Sequence, residues 1–515
     1  MPRQPKSPAN ATSAQRLSSI LKSCRDIMRK DKGLNGDLDR LPLLTWLMFL
    51  KFFDDREEER ELEAQLKSED FRPIIEAPYR WRNWAGGALA MTGPELLEFI
   101  NNDVTVRPGG TRGKGLFAYL RGLNGGGAAS VIANVFKGVT NRMESGYLLR
   151  DVIDKINGIH FTSSEEIHTL GHRYESLLRE KRDAPGDSGE FYTPRSVVRF
   201  MVTVTDPRLG ETVLDPACGT GGFLVEAFDH LRQQVQTVED HRLLQTRSIL
   251  GGEAKPLPYL LAQMNLLLHG LDTPVIDYGN ALRVNLSEIG RREQVDIILT
   301  NPPFGGEEER GILGNFPADR QTSETALLFL QLIMRRLRDG HKPGRAAVVV
   351  PNGTLFADGV AARIKEHLLR EYNLHTIVRL PNGVFAPYTS IPTNLLFFDL
   401  SGPTGDIWYY EVPLPEGKRQ YTKTQPMQYE AFADCVAWWH AREENAQAWR
   451  VHAQEVLQYH DDGSLKSVNL DISNPNGATA LEHRSPEELV ESILEKERRI
   501  QEIMEEIRAM VRKGP

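Results

Sequence analysis

The sequence predicts an α/β protein: a doubly wound, mostly parallel sheet with an N-terminal all-helical domain and a C-terminal amphipathic helix. Three observations predict it. From residue 190 onward, short apolar runs alternate with helical segments, the rhythm of strands joined by crossover helices. Before residue 180, apolar residues recur instead at three- and four-residue spacing. At the far end, residues 486–512 place apolar side chains seven apart.

The elements follow in order. Residues 1–15 are rich in Pro, Ser, Ala and Asn and read as a flexible tail. Over residues 1–30 seven basic residues face one acid, Asp26. That run reads as a solvated tail, with nucleic-acid contact as the alternative. Residues 16–180 form the helical domain. Leu17, Ile20, Leu21, Cys24 and Ile27 make one helix face, and Leu41–Phe53 reads as a buried helix running into the charged stretch 54–63. The segment Arg107–Gly115 and the triplet Gly125–Gly127 read as loops, and 164–180 as a further helix. Residues 181–189, rich in Asp, Gly and Pro, read as a linker.

The α/β domain is expected over 190–412. Strands are predicted at 212–215, 248–252, 295–300, 345–350, 376–380, 394–400 and 407–412, with helices at 221–232, 257–269, 324–338 and 359–371. The last strands have no helices between them, so that edge is expected to be antiparallel. Residues 413–485 are a polar extension with scattered tryptophans and weak periodicity. In 486–515, Pro486 after Ser485 suits a helix start. Ile493, Ile500 and Ile507 then alternate with Leu489, Ile503 and Met510 along a seam that Lys496 interrupts. The seam fits either its own domain or a partner helix.

Composition excludes several function classes. The chain has 515 residues and a formal charge of −8, which argues against coating nucleic acid with bulk positive charge but leaves room for a local basic surface. Three scattered cysteines, Cys24, Cys218 and Cys435, make neither a disulfide framework nor a metal cluster. Leu43–Phe53 is too short to span a bilayer, and the polar N-terminus carries no signal-peptide pattern. The expectation is a cytoplasmic protein with no membrane partner and no metal.

Two clusters carry the chemistry. The first is Val213-Leu-Asp-Pro-Ala-Cys-Gly-Thr-Gly-Gly-Phe-Leu224: a strand ending at Asp215, a turn through Ala217, Cys218, Gly219, Thr220, Gly221 and Gly222, then a helix. The glycines let a ligand approach the backbone. Neither the dinucleotide spacing nor a phosphate-cradling P-loop is present. An acid at the end of the next strand, Glu253, is placed to accept hydrogen bonds from both hydroxyls of a ribose. The second cluster is Asp296-Ile-Ile-Leu-Thr-Asn-Pro-Pro-Phe-Gly305. Pro302 and Pro303 stiffen the turn, so the Asn301 side-chain oxygen and the Pro302 carbonyl can both accept from one amino group. Phe304 offers a face to stack on a base. Two weaker signals are the turn Glu190-Phe-Tyr-Thr-Pro-Arg195, able to close over a ligand, and Asn280, in Tyr278-Gly-Asn-Ala-Leu282, which reads alone as a turn residue.

In this order the clusters closely resemble those of the modification (M) subunits of type I restriction-modification systems, which are adenine-specific DNA methyltransferases. The resemblance covers most of the chain, including Gly344–Gly353 and Leu380–Pro387. It implies the S-adenosylmethionine-dependent methyltransferase fold. It also implies cofactor binding by Glu190, Phe191, Tyr192, Thr193, Pro194, Arg195, Asp215, the 217–222 loop, Glu253 and Asn280. Asn301, Pro302, Pro303 and Phe304 would hold the target adenine. Asn280 departs from the pattern, since related loops often carry Asp. The resemblance further implies double-stranded DNA as substrate, a separate specificity (S) subunit, a restriction (R) helicase-nuclease subunit, and two M subunits per S. The terminal helix 486–515 would be the docking element. Two other readings stay open: a glutamine-side-chain methyltransferase, which is usually smaller with Tyr after the prolines, and an inactive scaffold that keeps the fold for assembly.

Overall fold

The computed structural model describes residues 13–87, 90–161, 193–306, 308–340, 342–386 and 389–476, with the single residues 498 and 504. The tail to residue 12, the helix expected at 164–180, the linker 181–189 and most of 486–515 lie outside the described residues.

The first half is built of helices over Ser13–Met28, Asp37–Lys67, Trp81–Trp84, Gly93–Asn101, Leu116–Arg121, Ala128–Lys137 and Gly146–Ile156. The predicted apolar and charged stretches are one long helix, Asp37–Lys67. Its charged half does not simply face solvent. Lys51 and Asp55 pair in the interior, each side chain 8% exposed, and Asp55 Oδ2 also accepts from the Phe161 N–H at 3.0 Å. Asp54 takes Arg82 at 3.0 Å. The expected loop at 107–115 is partly a hairpin: β1 (Val104–Val106) pairs antiparallel with β2 (Arg112–Lys114) around left-handed Gly109 and Gly110. Strands of three residues are too short to show an alternation in sequence. No helix among the described residues is long and apolar enough to cross a membrane.

The second half carries nine strands in one sheet. They are β3 (Val213–Asp215), β4 (Ile249–Glu253), β5 (Val275–Tyr278), β6 (Ile297–Thr300), β7 (Arg345–Pro351), β8 (Asn373–Arg379), β9 (Thr393–Asp399), β10 (Asp406–Glu411) and β11 (Ala448–His452). Their order across the sheet is β11-β10-β8-β9-β7-β6-β3-β4-β5. The chain winds outward from β3 through β4 to β5, then returns to lay β6 on the other side of β3. That reversal leaves a crevice at the carboxyl ends of β3 and β6, where open α/β sheets take their ligands.

Side chains alternate between the two faces, as strand geometry requires. Val213, Ile297, Leu299, Ala347 and Val349 join one core, and Leu214, Ile298, Ala346, Val348 and Val350 the other. The first core runs without a break into the helical domain.

The antiparallel pairing differs from expectation. β9 runs antiparallel to both β7 and β8 but lies inside the sheet, and the antiparallel edge strand is β11. β11 belongs to the stretch read as a polar extension, so the sheet continues past residue 412. Its aromatics are packing residues: Trp449 stacks on Tyr409 at 5.2 Å, and Trp438 meets Tyr410 at 5.0 Å. A short hairpin of β12 (Leu457–Tyr459) and β13 (Leu465–Val468) follows.

Candidate active site

β3 ends at Asp215, which is 1% exposed. Its Oδ1 accepts from the Ala217 N–H at 3.1 Å and from the Thr300 hydroxyl at 2.6 Å. Thr300 closes β6, so this bond ties the two sequence clusters together across the crevice. Burial lifts the Asp215 carboxyl to about 7, against the pull of both hydrogen bonds, and the nearby Glu253 adds to the rise.

The turn after Asp215 is clamped from several sides. Gly219 and Gly221 take φ of +54° and +78°, which favours glycine. The Cys218 N–H donates to the Gly252 carbonyl at 2.9 Å, and the Gly221 N–H to the Cys218 carbonyl at 2.8 Å. The Gly219 N–H donates to Glu253 Oε2 at 3.0 Å. The Thr220 carbonyl accepts from Asn265 Nδ2 at 2.9 Å, and the Gly222 carbonyl from Arg195 Nη1 at 2.7 Å. The Ala217, Cys218, Gly219 and Gly221 N–H groups are thus spent within the protein. A phosphate nest needs such groups to point outward at the anion. The Cys218 thiol is buried and pushed up by that burial, which removes it as a nucleophile.

Glu253 is 8% exposed and accepts from the Gly219 and Lys255 N–H groups, one on each oxygen. Burial raises its carboxyl above the usual range. Each oxygen keeps a further lone pair for a hydroxyl donor. Asn280 behaves chiefly as a turn residue: its Oδ1 caps the Leu282 N–H at 2.9 Å, and its Nδ2 donates to Glu308 at 3.0 Å.

β6 runs into Asn301. Asn301 Nδ2 donates to Thr193 Oγ1 at 3.1 Å, whereas its Oδ1 is buried and has no partner among the described residues. A buried carbonyl oxygen without a donor costs about 1–3 kcal/mol, so it marks a place where a ligand N–H fits. Pro302 is buried and Pro303 half-buried. Phe304 is half-buried, with its ring 5.8 Å from Phe385 in an edge contact.

The predicted residues therefore meet at one edge. Thr193, Pro194 and Arg195 bridge the two clusters, reaching Asn301 on one side and Gly222 on the other. Glu190, Phe191 and Tyr192 lie outside the described residues.

Sequence reasoning missed four contributors. Thr300 and Asn265 carry no spacing signature. Gly251 and Gly252 do, as a pair within a strand. A Cβ on Gly251 would come 2.8 Å from Leu224 Cδ1 and 3.3 Å from Cys218 Sγ, and one on Gly252 would come 3.0 Å from the Pro216 carbonyl.

The donor set fits a cationic nucleoside. Two buried acids flank the loop, the Ala217, Cys218, Gly219 and Gly221 amides are spent, and Glu253 stands where a ribose diol would be read. Among the described residues no cluster of His, Cys, Asp and Glu could hold a metal ion.

Comparison with known proteins agrees in two regions. The family described as N-6 DNA Methylase matches residues 165–476, and the HsdM N-terminal domain matches residues 17–156. The chain is 48% identical over 505 residues to the type I restriction enzyme EcoEI methylase subunit of Escherichia coli, covering 96% of this chain and 97% of that one. Among solved structures, a protein described as a modification subunit, from Vibrio vulnificus YJ016, superposes with a TM-score of 0.83 at 66% identity. That match covers 93% of this chain and 100% of that one. A chain from a study of assembly and conformational transition in the type I R-M system gives a TM-score of 0.78 at 40% identity, covering 98% and 100%.

Proposed function

The chain belongs to the N-6 DNA methylase family, as a type I restriction enzyme methylase subunit and DNA adenine methyltransferase, and from that premise we propose how its residues divide the work. The cofactor is S-adenosylmethionine, held by Thr193, Pro194 and Arg195, the 215–222 loop and Glu253, with Glu190, Phe191, Tyr192 and Asn280 as further contacts. When bound, it supplies an electrophilic methyl group on a sulfonium. The substrate is an adenine flipped out of double-stranded DNA, at a cost of a few kcal/mol.

The observation that carries this reading is the buried Asn301 Oδ1 at the end of β6, which has no partner among the described residues. That oxygen and the Pro302 carbonyl accept the two hydrogens of the adenine amine. This draws the nitrogen lone pair out of conjugation and toward the methyl donor. Phe304 stacks on the base. Thr193 Oγ1 takes the Asn301 Nδ2, and in that orientation Oδ1 is left for the amine. The amine loses its proton after methylation, so no residue must remove it beforehand. Positioning of this kind lowers a barrier by roughly 7–11 kcal/mol in well-oriented cases.

Sequence reading falls to a separate S subunit and cleavage to an R helicase-nuclease, with two M subunits on one S. Residues 16–180 form the helical domain, 190–412 the catalytic domain with its sheet extended by part of 413–485, and 486–515 the docking helix.

Asn301→Ala tests the site. Methylation is expected to fall at least about 100-fold, the scale of losing one directed polar contact to the reacting group. Cofactor affinity by titration calorimetry is expected to stay within about twofold. Loss of cofactor binding instead would show that the amine-holding site is misassigned.

A further inference from the structure

The helix Pro256–Leu268 follows Glu253 directly and is buried from Pro258 to Leu268. Its sequence is apolar except for two side chains in the second half, Gln263 and Asn265, both 0% exposed. A buried asparagine on an apolar helix is costly unless it is bonded. Asn265 spends its amide on the Thr220 carbonyl, 2.9 Å away, at the apex of the glycine loop. One turn earlier, Ala262 lies where a side chain on Gly221 would meet it, at 3.4 Å. The helix thus supports the loop from behind, at both the residue between the two left-handed glycines and the second of those glycines.

The same helix touches the helical domain. It packs on Asp37–Lys67 and Ala128–Lys137. The contact at Gly138 is so close that an added Cβ would fall 2.2 Å from Pro256 Cβ. Beyond the helix's end, Asp272 pairs with Arg56 of the helical domain at 2.9 Å. The core is continuous across this junction. A close-packed helix does not yield at one contact without moving at the others.

We propose that Pro256–Leu268 is a strut through which the helical domain sets the shape of the cofactor loop, with Asn265 as the positioning residue that transmits it to Thr220. This rests on reading the 215–222 loop as the S-adenosylmethionine site. The helical domain then controls cofactor affinity without touching the cofactor.

The test is a double-mutant cycle on the full-length chain, assembled with its partner subunits, reading S-adenosylmethionine Kd by calorimetry and kcat at saturating cofactor. Asn265→Leu removes the bond at similar volume and is expected to weaken binding about tenfold, the scale of one lost hydrogen bond. Its kcat should stay within about twofold. Gly138→Ala pushes on Pro256 from the helical side and is expected to weaken binding about three- to tenfold. In the Asn265→Leu background the same change should add less than about twofold, because the transmitting contact is already gone. Two effects that simply multiply would overturn the proposal. So would an unchanged Kd in Asn265→Leu, which decides the matter alone if Gly138→Ala does not fold. A drop in unfolding temperature with unchanged affinity would assign Asn265 to stability only. A wild-type complex that binds no S-adenosylmethionine would instead sink the reading of the loop itself.

Discussion

Two carboxyl groups bracket β3 in opposite regimes. At its amino end, burial acts to raise Glu211, yet hydrogen bonds from Arg345, Lys342 and the Arg208 N–H hold it at about 2. That group contributes stability above the ordinary carboxylate range, lost as pH falls toward 2. At the carboxyl end, burial lifts Asp215 to about 7. Its stability contribution is complete below pH 3.8 and lost as pH rises through about 7, because the folded state resists the ionisation that the unfolded chain accepts. Asp215→Asn keeps an oxygen for Ala217 and Thr300 and removes the titration. In urea denaturation, the variant's stability advantage over wild type is expected to grow from near zero at pH 4 to a few kcal/mol at pH 8. A pH profile parallel to that of wild type would refute it. Asp215, Glu253 and Asn301 are legible in the sequence because each follows a strand in a turn with its own signature. Thr300 is not, because a threonine at a strand end looks the same whether or not it anchors a carboxylate.

Among the elements, β4 shows how a strand can serve a site through what it lacks. Gly251 and Gly252 give up side-chain packing so that Pro216–Gly219 can lie against the strand, where the Gly252 carbonyl receives the Cys218 N–H. Gly252→Ala places a Cβ 3.0 Å from the Pro216 carbonyl, a backbone atom with little room to give. Cofactor affinity is expected to fall about tenfold, the scale of the Cys218 bond, with far-UV circular dichroism unchanged. An affinity within about twofold of wild type would show that the loop does not need this approach. The central strands and their helices are legible because buried parallel strands read as continuous apolar runs bounded by turns. β9 is harder to place. Its seven residues, Thr393–Asp399, announce a buried strand, but its antiparallel entry between β7 and β8 depends on pairing partners far away in sequence. β11 escapes for another reason. At the edge of the sheet its outward residues, Arg450 and His452, are exposed, and five residues of mixed polarity carry too little periodicity to read.

For the molecule as a whole, the proposed division of labour reconciles a charge of −8 with a DNA substrate. Residues 413–476 add β11 to the sheet and form a short hairpin of their own, so among the described residues they form no separate domain that could read a DNA sequence. We propose that specificity arrives from another chain, received on a surface of this one. The candidate is the C-terminal stretch, of which Arg498 and Met504 are the two described residues, both helical, with Met504 62% exposed. Ile493, Ile500 and Ile507 repeat at seven residues, and Leu489, Ile503 and Met510 fill the second seam position. Such a seam fits either its own domain or a helical partner, and a partner would bury it. Lys496 within the seam leaves a polar register mark of the kind that favours one partner over others. A chain truncated to residues 1–485 keeps every described residue that surrounds Asn301 and Glu253. It is expected to bind S-adenosylmethionine within about twofold of the full chain, yet to lose co-purification with the specificity subunit and, with it, methylation of duplex DNA. The coupling of those last two losses is the point. A truncated chain that still co-purifies would free the helix from any docking role. One that fails to co-purify yet methylates duplex DNA at the full-chain rate would show that this acidic subunit finds DNA unaided.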